Sequence, residues 1–160
     1  MQIDFYDLHI DENGIPSLYK EKSLEYETKQ MNTPEKIARF SKDVLQLHKK
    51  AEEHIYMLAL NTACEVTGVF FLAKGTATAV LTTPKEIFTR AMMAGTSATV
   101  LIHNHPSGNT QPSKEDISTT IRTKRAGDIM EIHLIDHIIV TNNDVDPYLS
   151  FKESNTIENM

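Results

Sequence analysis

Residues 103–116 read His-Asn-His-Pro-Ser-Gly-Asn-Thr-Gln-Pro-Ser-Lys-Glu-Asp. Two histidines one residue apart, a turn-rich loop and a carboxylate form a set of metal ligands. A catalytic zinc site takes three protein ligands and keeps a fourth position open for water. His103, His105 and Asp116 supply two nitrogens and one oxygen for such a site. Each piece also has a plainer use. Ser113-x-x-Asp116 fits a helix capping box, weaker with Asp than with Glu or Gln in the last place. A His-x-His at a strand end is often ordinary surface. Both plain uses would have to hold at once, joined by Pro106-Ser107-Gly108, for the metal reading to fail.

The elements that must position these residues are legible on either side. Ala98-Thr99-Val100-Leu101-Ile102 is a short apolar run, partly β-branched, and predicts a buried strand. Side chains alternate faces along a strand, so His103 and His105 share one face and Asn104 points away. Pro106 ends the strand, because it cannot donate to a central ladder. Ser107 to Gln111 has turn composition. Ser113 is then the N-cap of a helix and Asp116 its third residue. A loop of this length can fold the first helical turn back over the strand end.

The string His103-Asn-His105-Pro-Ser-Gly with Pro112-Ser113-x-x-Asp116 resembles the RadC-type branch of the JAMM (JAB/MPN) metallopeptidase family. Downstream, Asp136-His137-Ile138-Ile139-Val140 is similar to a strand of RadC-like proteins, and the likeness reaches upstream through Thr83-Pro84-Lys85-Glu86 and Glu53-His54-Ile55. The resemblance implies a mixed α/β sheet flanked by helices, in a cytidine-deaminase-like layout. It implies Zn2+ held by His103, His105 and Asp116, with Ser113 helping to stabilise an oxyanion. It also implies an upstream glutamate, matched by Glu53, acting as general base on a zinc-activated water. Zinc lowers the pKa of water to about 7, but a carboxylate must still carry the proton. Glu52 is the competing position, and adjacent residues of an extended chain face opposite ways, so one of the two can reach the metal. The plain alternative is that both end a preceding helix in solvent. RadC proteins commonly carry a helix-hairpin-helix module before this domain. About thirty residues precede it here, so the module is expected to be absent. Thr141 stands where the family often has glycine.

Three functional classes follow. The first is a zinc metallopeptidase or isopeptidase acting on a peptide or protein. The second is a DNA-repair-associated protein working through nucleic acid or a repair partner. The third is a non-catalytic MPN interaction module, ranked lowest because the ligands and Glu53 are present. A formal net charge of −6 disfavours non-specific DNA binding, which needs Lys and Arg at phosphates. A zinc nucleobase deaminase needs a Pro-Cys-x-x-Cys pair, and Cys64 is the single cysteine. One cysteine also excludes a disulfide framework and fits a reducing cytoplasm. No signal-like start and no run of transmembrane length are seen, so no membrane role is expected.

The chain of 160 residues is 40% hydrophobic, enough for one domain with a core. The expected layout is an N-terminal arm or edge strand over 1–29, the metallohydrolase domain over 30–152 and a polar tail over 153–160. Leu18 to Thr28 is a candidate strand. Thr33-Pro34-Glu35 opens a helix expected to reach Lys50. Ile55 to Leu60 and Val66 to Ala73 read as strands, and Thr83 opens a helix ended by Gly95. A helix over 114–126 and a strand near 131–141 follow. Asp136-His137 reads either as a pair orienting a ligand or, slightly favoured, as a structural pair. His48, His54 and His133 lack partners at ligand spacing. Arg122, Lys124 and Arg125 read as a solvated helix face.

Overall fold

The computed structural model describes residues 1–75 and 82–157. In chain order the elements are β1 (Gln2–Ile10), β2 (Pro16–Glu25), α1 (Pro34–Asp43), β3 (Glu53–Leu60), β4 (Val66–Gly75), α2 (Pro84–Met93), β5 (Ala98–Asn104), α3 (Lys114–Met130), β6 (His133–Val140) and β7 (Tyr148–Ser150). The strands form one sheet in the order β2-β1-β4-β3-β5-β6-β7. β1 with β4 and β5 with β6 are parallel pairs, and the remaining neighbours are antiparallel. This is the mixed α/β sheet flanked by helices that the resemblance implies. Among the described residues, no helix is long and apolar enough to cross a membrane.

Side-chain alternation sorts the core into two layers. Leu58, Leu60, Val100 and Ile102 pack with Ile37 and Phe40 of α1 on one face. Ile55, Met57, Ala59 and Leu101 pack with Ile87, Phe88 and Ala91 of α2 and with Ala126 and Met130 of α3 on the other. β5 is buried along its whole length because helices cover both of its faces. Alternation then sends His103 to the α2–α3 face and Asn104 to the α1 face.

Three elements differ from expectation. α1 stops at Asp43 rather than Lys50; Gln46 takes a left-handed conformation (φ 51°) and Leu47–Lys49 form a 3-10 turn. Leu45 and Leu47 are both buried, yet a continuing helix would set them about 200° apart. Breaking the helix lets both enter the core. α3 runs past Gly127 to Met130 and ends at Glu131 in the left-handed region (φ 57°). Gly127 serves packing rather than termination: a Cβ there would collide with the carbonyl of Ile132 and press on Phe88. At the N-terminus, β1 and β2 form a hairpin that joins the sheet through Phe5 and Tyr6 beside Val69 and Phe70 of β4. Residues 153–157, in the expected polar tail, turn back and bury Ile157 with Phe151 and Ile139; residues 158–160 lie outside the described residues.

Candidate metal centre

β5 delivers His103 at its end, and the chain leaves the sheet through His105 and Pro106. The His105 amide still donates to the Val140 carbonyl at 3.0 Å, which keeps the exit in line with β6. Residues 106–113 carry the chain to the start of α3, and Thr110 ties this loop to Asp146 with a 2.5 Å hydroxyl–carboxylate hydrogen bond. Ser113 caps α3: its Oγ accepts from the Asp116 amide at 3.1 Å, and its own amide and hydroxyl each donate to Asp116 Oδ2 at 2.7 Å.

The capping box therefore aims Asp116 rather than consuming it. Its Oδ1 lies 3.2 Å from His103 Nε2, and Oδ2 lies 3.3 Å from His105 Nε2. The two Nε2 atoms are 3.0 Å apart. All three donor groups sit within 4.8 Å of one another. Both histidines are buried, and the Asp116 side chain is 14% exposed. Burial would raise the Asp116 pKa, but the imidazoles of His103 and His105 hold it well below the usual carboxylate range. Burial opposes protonation of His105, yet the Asp116 carboxylate and the Asn109 carbonyl raise its pKa on balance.

The second ring nitrogens are engaged elsewhere. His105 Nδ1 is 2.8 Å from the Asn109 carbonyl, an acceptor, so it carries the proton and donates. His103 Nδ1 is 2.8 Å from His137 Nε2, and His137 Nδ1 is 2.6 Å from Thr120 Oγ1. Each imidazole thus turns its Nε2 toward the other and toward an ionised carboxylate. Two imidazole nitrogens and a carboxylate converging on one point suit a bound cation, and two nitrogens with one oxygen suit zinc.

Glu53 is the first residue of β3, and its neighbour Glu52 is separated from it by alternation. Glu52 is half exposed and pairs with Lys74 at 2.5 Å. Glu53 is 9% exposed and turns inward. Ile55 lies opposite His103 in the β3–β5 ladder, so the same register carried two residues on sets Glu53 in line with His105. Burial raises the Glu53 pKa, opposed by the fields of His103 and His105 and reinforced by that of Asp116.

Two neighbours of the site take their places in three dimensions: His137, from the pair the sequence singles out, and Asn104. His137 is buried between His103, Thr120 and the Phe151 ring, which stacks on it at 4.9 Å. Asp136 faces away and accepts from the His137 amide, the Ser150 hydroxyl and the Lys152 amide. The pair Asp136-His137 therefore divides: His137 touches a candidate ligand and Asp136 anchors β7. Asn104 is buried, accepts from the His54 amide at 2.8 Å and donates to the carbonyls of Lys50 and Glu52 at 3.3 and 3.1 Å. Its side chain grips both flanks of Glu53. Strand alternation alone sends it away from the metal and gives no hint of this partner fifty residues upstream. Of the remaining histidines, His54 and His133 bond to the Glu52 carbonyl and Asp128.

A family model described as a RadC-like JAB domain matches residues 31–156. A UPF0758 protein of Staphylococcus epidermidis is 44% identical over 92 residues, covering 58% of this chain and 41% of that protein. One from Thermotoga maritima is 33% identical over 132 residues, covering 82% of this chain and 57% of its own length. One from Clostridium beijerinckii is 37% identical over 112 residues, covering 70% and 48%. The chain spans about half the length of the curated relatives it matches. With the family model covering most of the chain and the His-x-His, Ser and Asp positions inside it, the chain belongs to the RadC-like JAB domain family.

Proposed function

We propose that this domain is a zinc-dependent hydrolase that cleaves an amide or isopeptide bond in a peptide or protein substrate. The observation that carries it is the convergence of His103 Nε2, His105 Nε2 and the Asp116 carboxylate within 4.8 Å of one another, with the inward carboxylate of Glu53 on the neighbouring strand. His103, His105 and Asp116 would hold the ion. When bound, zinc supplies Lewis acidity and lowers the pKa of water.

This chain's own residues supply the rest. Glu53 takes a proton from the attacking water and returns it to the leaving amine. Its burial suits the task, since a general base works best with a pKa raised toward the working pH. The Ser113 hydroxyl is already 2.7 Å from a ligand oxygen and turns to meet negative charge developing on the carbonyl oxygen. The loop 106–113, tied to Asp146, forms one wall for the substrate.

The test is turnover of a panel of fluorogenic peptides and isopeptide-linked substrates by zinc-loaded protein, wild type beside Glu53→Gln. Glu53→Gln is expected to keep its metal and lose about 10²- to 10⁴-fold in rate, the usual worth of a positioned acid–base group. Turnover surviving in Glu53→Gln would remove Glu53 from its role.

A further inference from the structure

We propose that His137 and Thr120 are positioning residues: together they fix which nitrogen of His103 faces the metal, and they lock that choice to the helical turn that carries Asp116. The proposal rests on the metal-centre reading above and concerns residues that touch no substrate.

The proton positions follow from the partners, starting at the far end. Thr120 Oγ1 lies 2.7 Å from the Asp116 carbonyl oxygen, which can only accept. The Thr120 hydroxyl proton is therefore directed there. Oγ1 is left as an acceptor, so the His137 Nδ1 at 2.6 Å must donate to it. A buried imidazole with no carboxylate against its ring carries one proton, and that proton is now on Nδ1. His137 Nε2 is then a bare lone pair, and the His103 Nδ1 at 2.8 Å must donate to it. His103 Nδ1 is thereby occupied, which leaves Nε2, the atom that faces Asp116 and His105, as the nitrogen turned to the metal centre. Each hydrogen bond determines the next, and no ion was assumed at any point.

A helical threonine bonding to the carbonyl four residues back is common and by itself carries no function. The difference here is the imidazole seated on the same oxygen. It joins three elements: β5 with His103, β6 with His137 and α3 with Thr120 and Asp116. Its inner end is shielded from solvent, with Thr120 fully buried and His137 1% exposed. The stacked Phe151 ring, interplanar angle 15°, holds the plane of His137. Partners that orient a ligating histidine are typically worth about 10- to 100-fold in metal affinity. Such partners are most often a carboxylate, a backbone carbonyl or water; a neutral histidine backed by a threonine is this chain's version.

The experiment measures zinc affinity of the full chain by competition with a chromophoric chelator, for wild type, Thr120→Val, Thr120→Ser and His137→Phe. Alongside it, nitrogen-15 NMR of the histidine rings in metal-free protein reads the proton position on His103. Thr120→Val keeps size and removes the hydroxyl; it is expected to weaken zinc binding by roughly 10- to 100-fold, while Thr120→Ser binds as wild type does. His137→Phe is expected to weaken it equally. Metal-free wild type should show His103 protonated on Nδ1, and Thr120→Val should show the proton shared between both nitrogens. Folded Thr120→Val that binds zinc as tightly as wild type overturns the proposal, as does wild-type His103 with no proton on Nδ1. Should His137→Phe fail to fold, the Thr120 pair still decides. A wild type that takes up no zinc overturns the metal-centre reading itself, a result distinct from equal binding by wild type and variant.

Discussion

Ser113 holds Asp116 at three points, with two donors on Oδ2 and an acceptor for the Asp116 amide. Replacing it by alanine removes the hydroxyl and with it two of the three. Ser113→Ala should cost about 1 kcal/mol of stability, the usual worth of an N-cap, and should loosen the carboxylate enough to weaken zinc binding. Ser113→Thr should restore both. Denaturant unfolding and zinc titration of the three proteins check this; an unchanged midpoint in Ser113→Ala would show that the cap is idle. In the sequence the two uses of Asp116 look like rivals, cap or ligand. The structure reconciles them because a carboxylate has two oxygens with spare lone pairs: Oδ2 takes the cap and still faces His105, while Oδ1 faces His103. Asp136 and His137 show the opposite case. In the sequence they read as one pair, ligand-orienting or, slightly favoured, structural, but neighbouring strand residues point to opposite faces, and only the histidine reaches the site.

Strand ends set the geometry at the scale of elements. β3 and β5 run antiparallel, so the end of β5 that delivers His103 meets the start of β3 that delivers Glu53. Asn104 fastens that junction from the opposite face. Asn104→Ala would leave one part-buried amide and two carbonyls without their partner. It should cost about 1–3 kcal/mol and should lower turnover while leaving zinc bound, because Glu53 rather than a ligand loses its support. Full turnover in a folded Asn104→Ala would contradict that role. Asp136 fastens the other side, β6 to β7. Burial raises its pKa above the ordinary 3.8, against hydrogen bonds from Ser150 and from the Lys152 and His137 amides. A carboxyl that holds its proton more tightly when folded adds stability that is complete below the unfolded pKa and fades as pH rises through the folded one. The stability of metal-free wild type minus that of Asp136→Asn should therefore fall between pH 3.8 and neutrality. Denaturant unfolding across that range measures it, and a flat or rising difference would contradict the buried-carboxyl account. The hydrophobic runs made β3 to β6 readable in advance, because central strands must be apolar. The break in α1 was not readable, since Leu45 and Leu47 reveal their shared core only once the sheet is assembled.

The whole molecule builds its centre from both halves of the chain. Glu53 precedes the crossover through β4 and α2, and the ligands follow it. That is why the motif at 103–116 reveals the candidate metal ligands by spacing alone, whereas Glu53 needed a family register and the choice between Asp136 and His137 needed coordinates. The N-terminal hairpin was hardest to foresee: β2 alternates little and is largely exposed, so its pairing with β1 decides its place more than its composition does. The central claim is that His103, His105 and Asp116 hold one metal ion. The most direct measurement is the metal content of tag-free protein by mass spectrometry, wild type beside His105→Ala. Close to one zinc per folded chain, lost in His105→Ala, is the predicted result. A well-folded wild type that carries no metal, even after zinc is offered, would contradict the account.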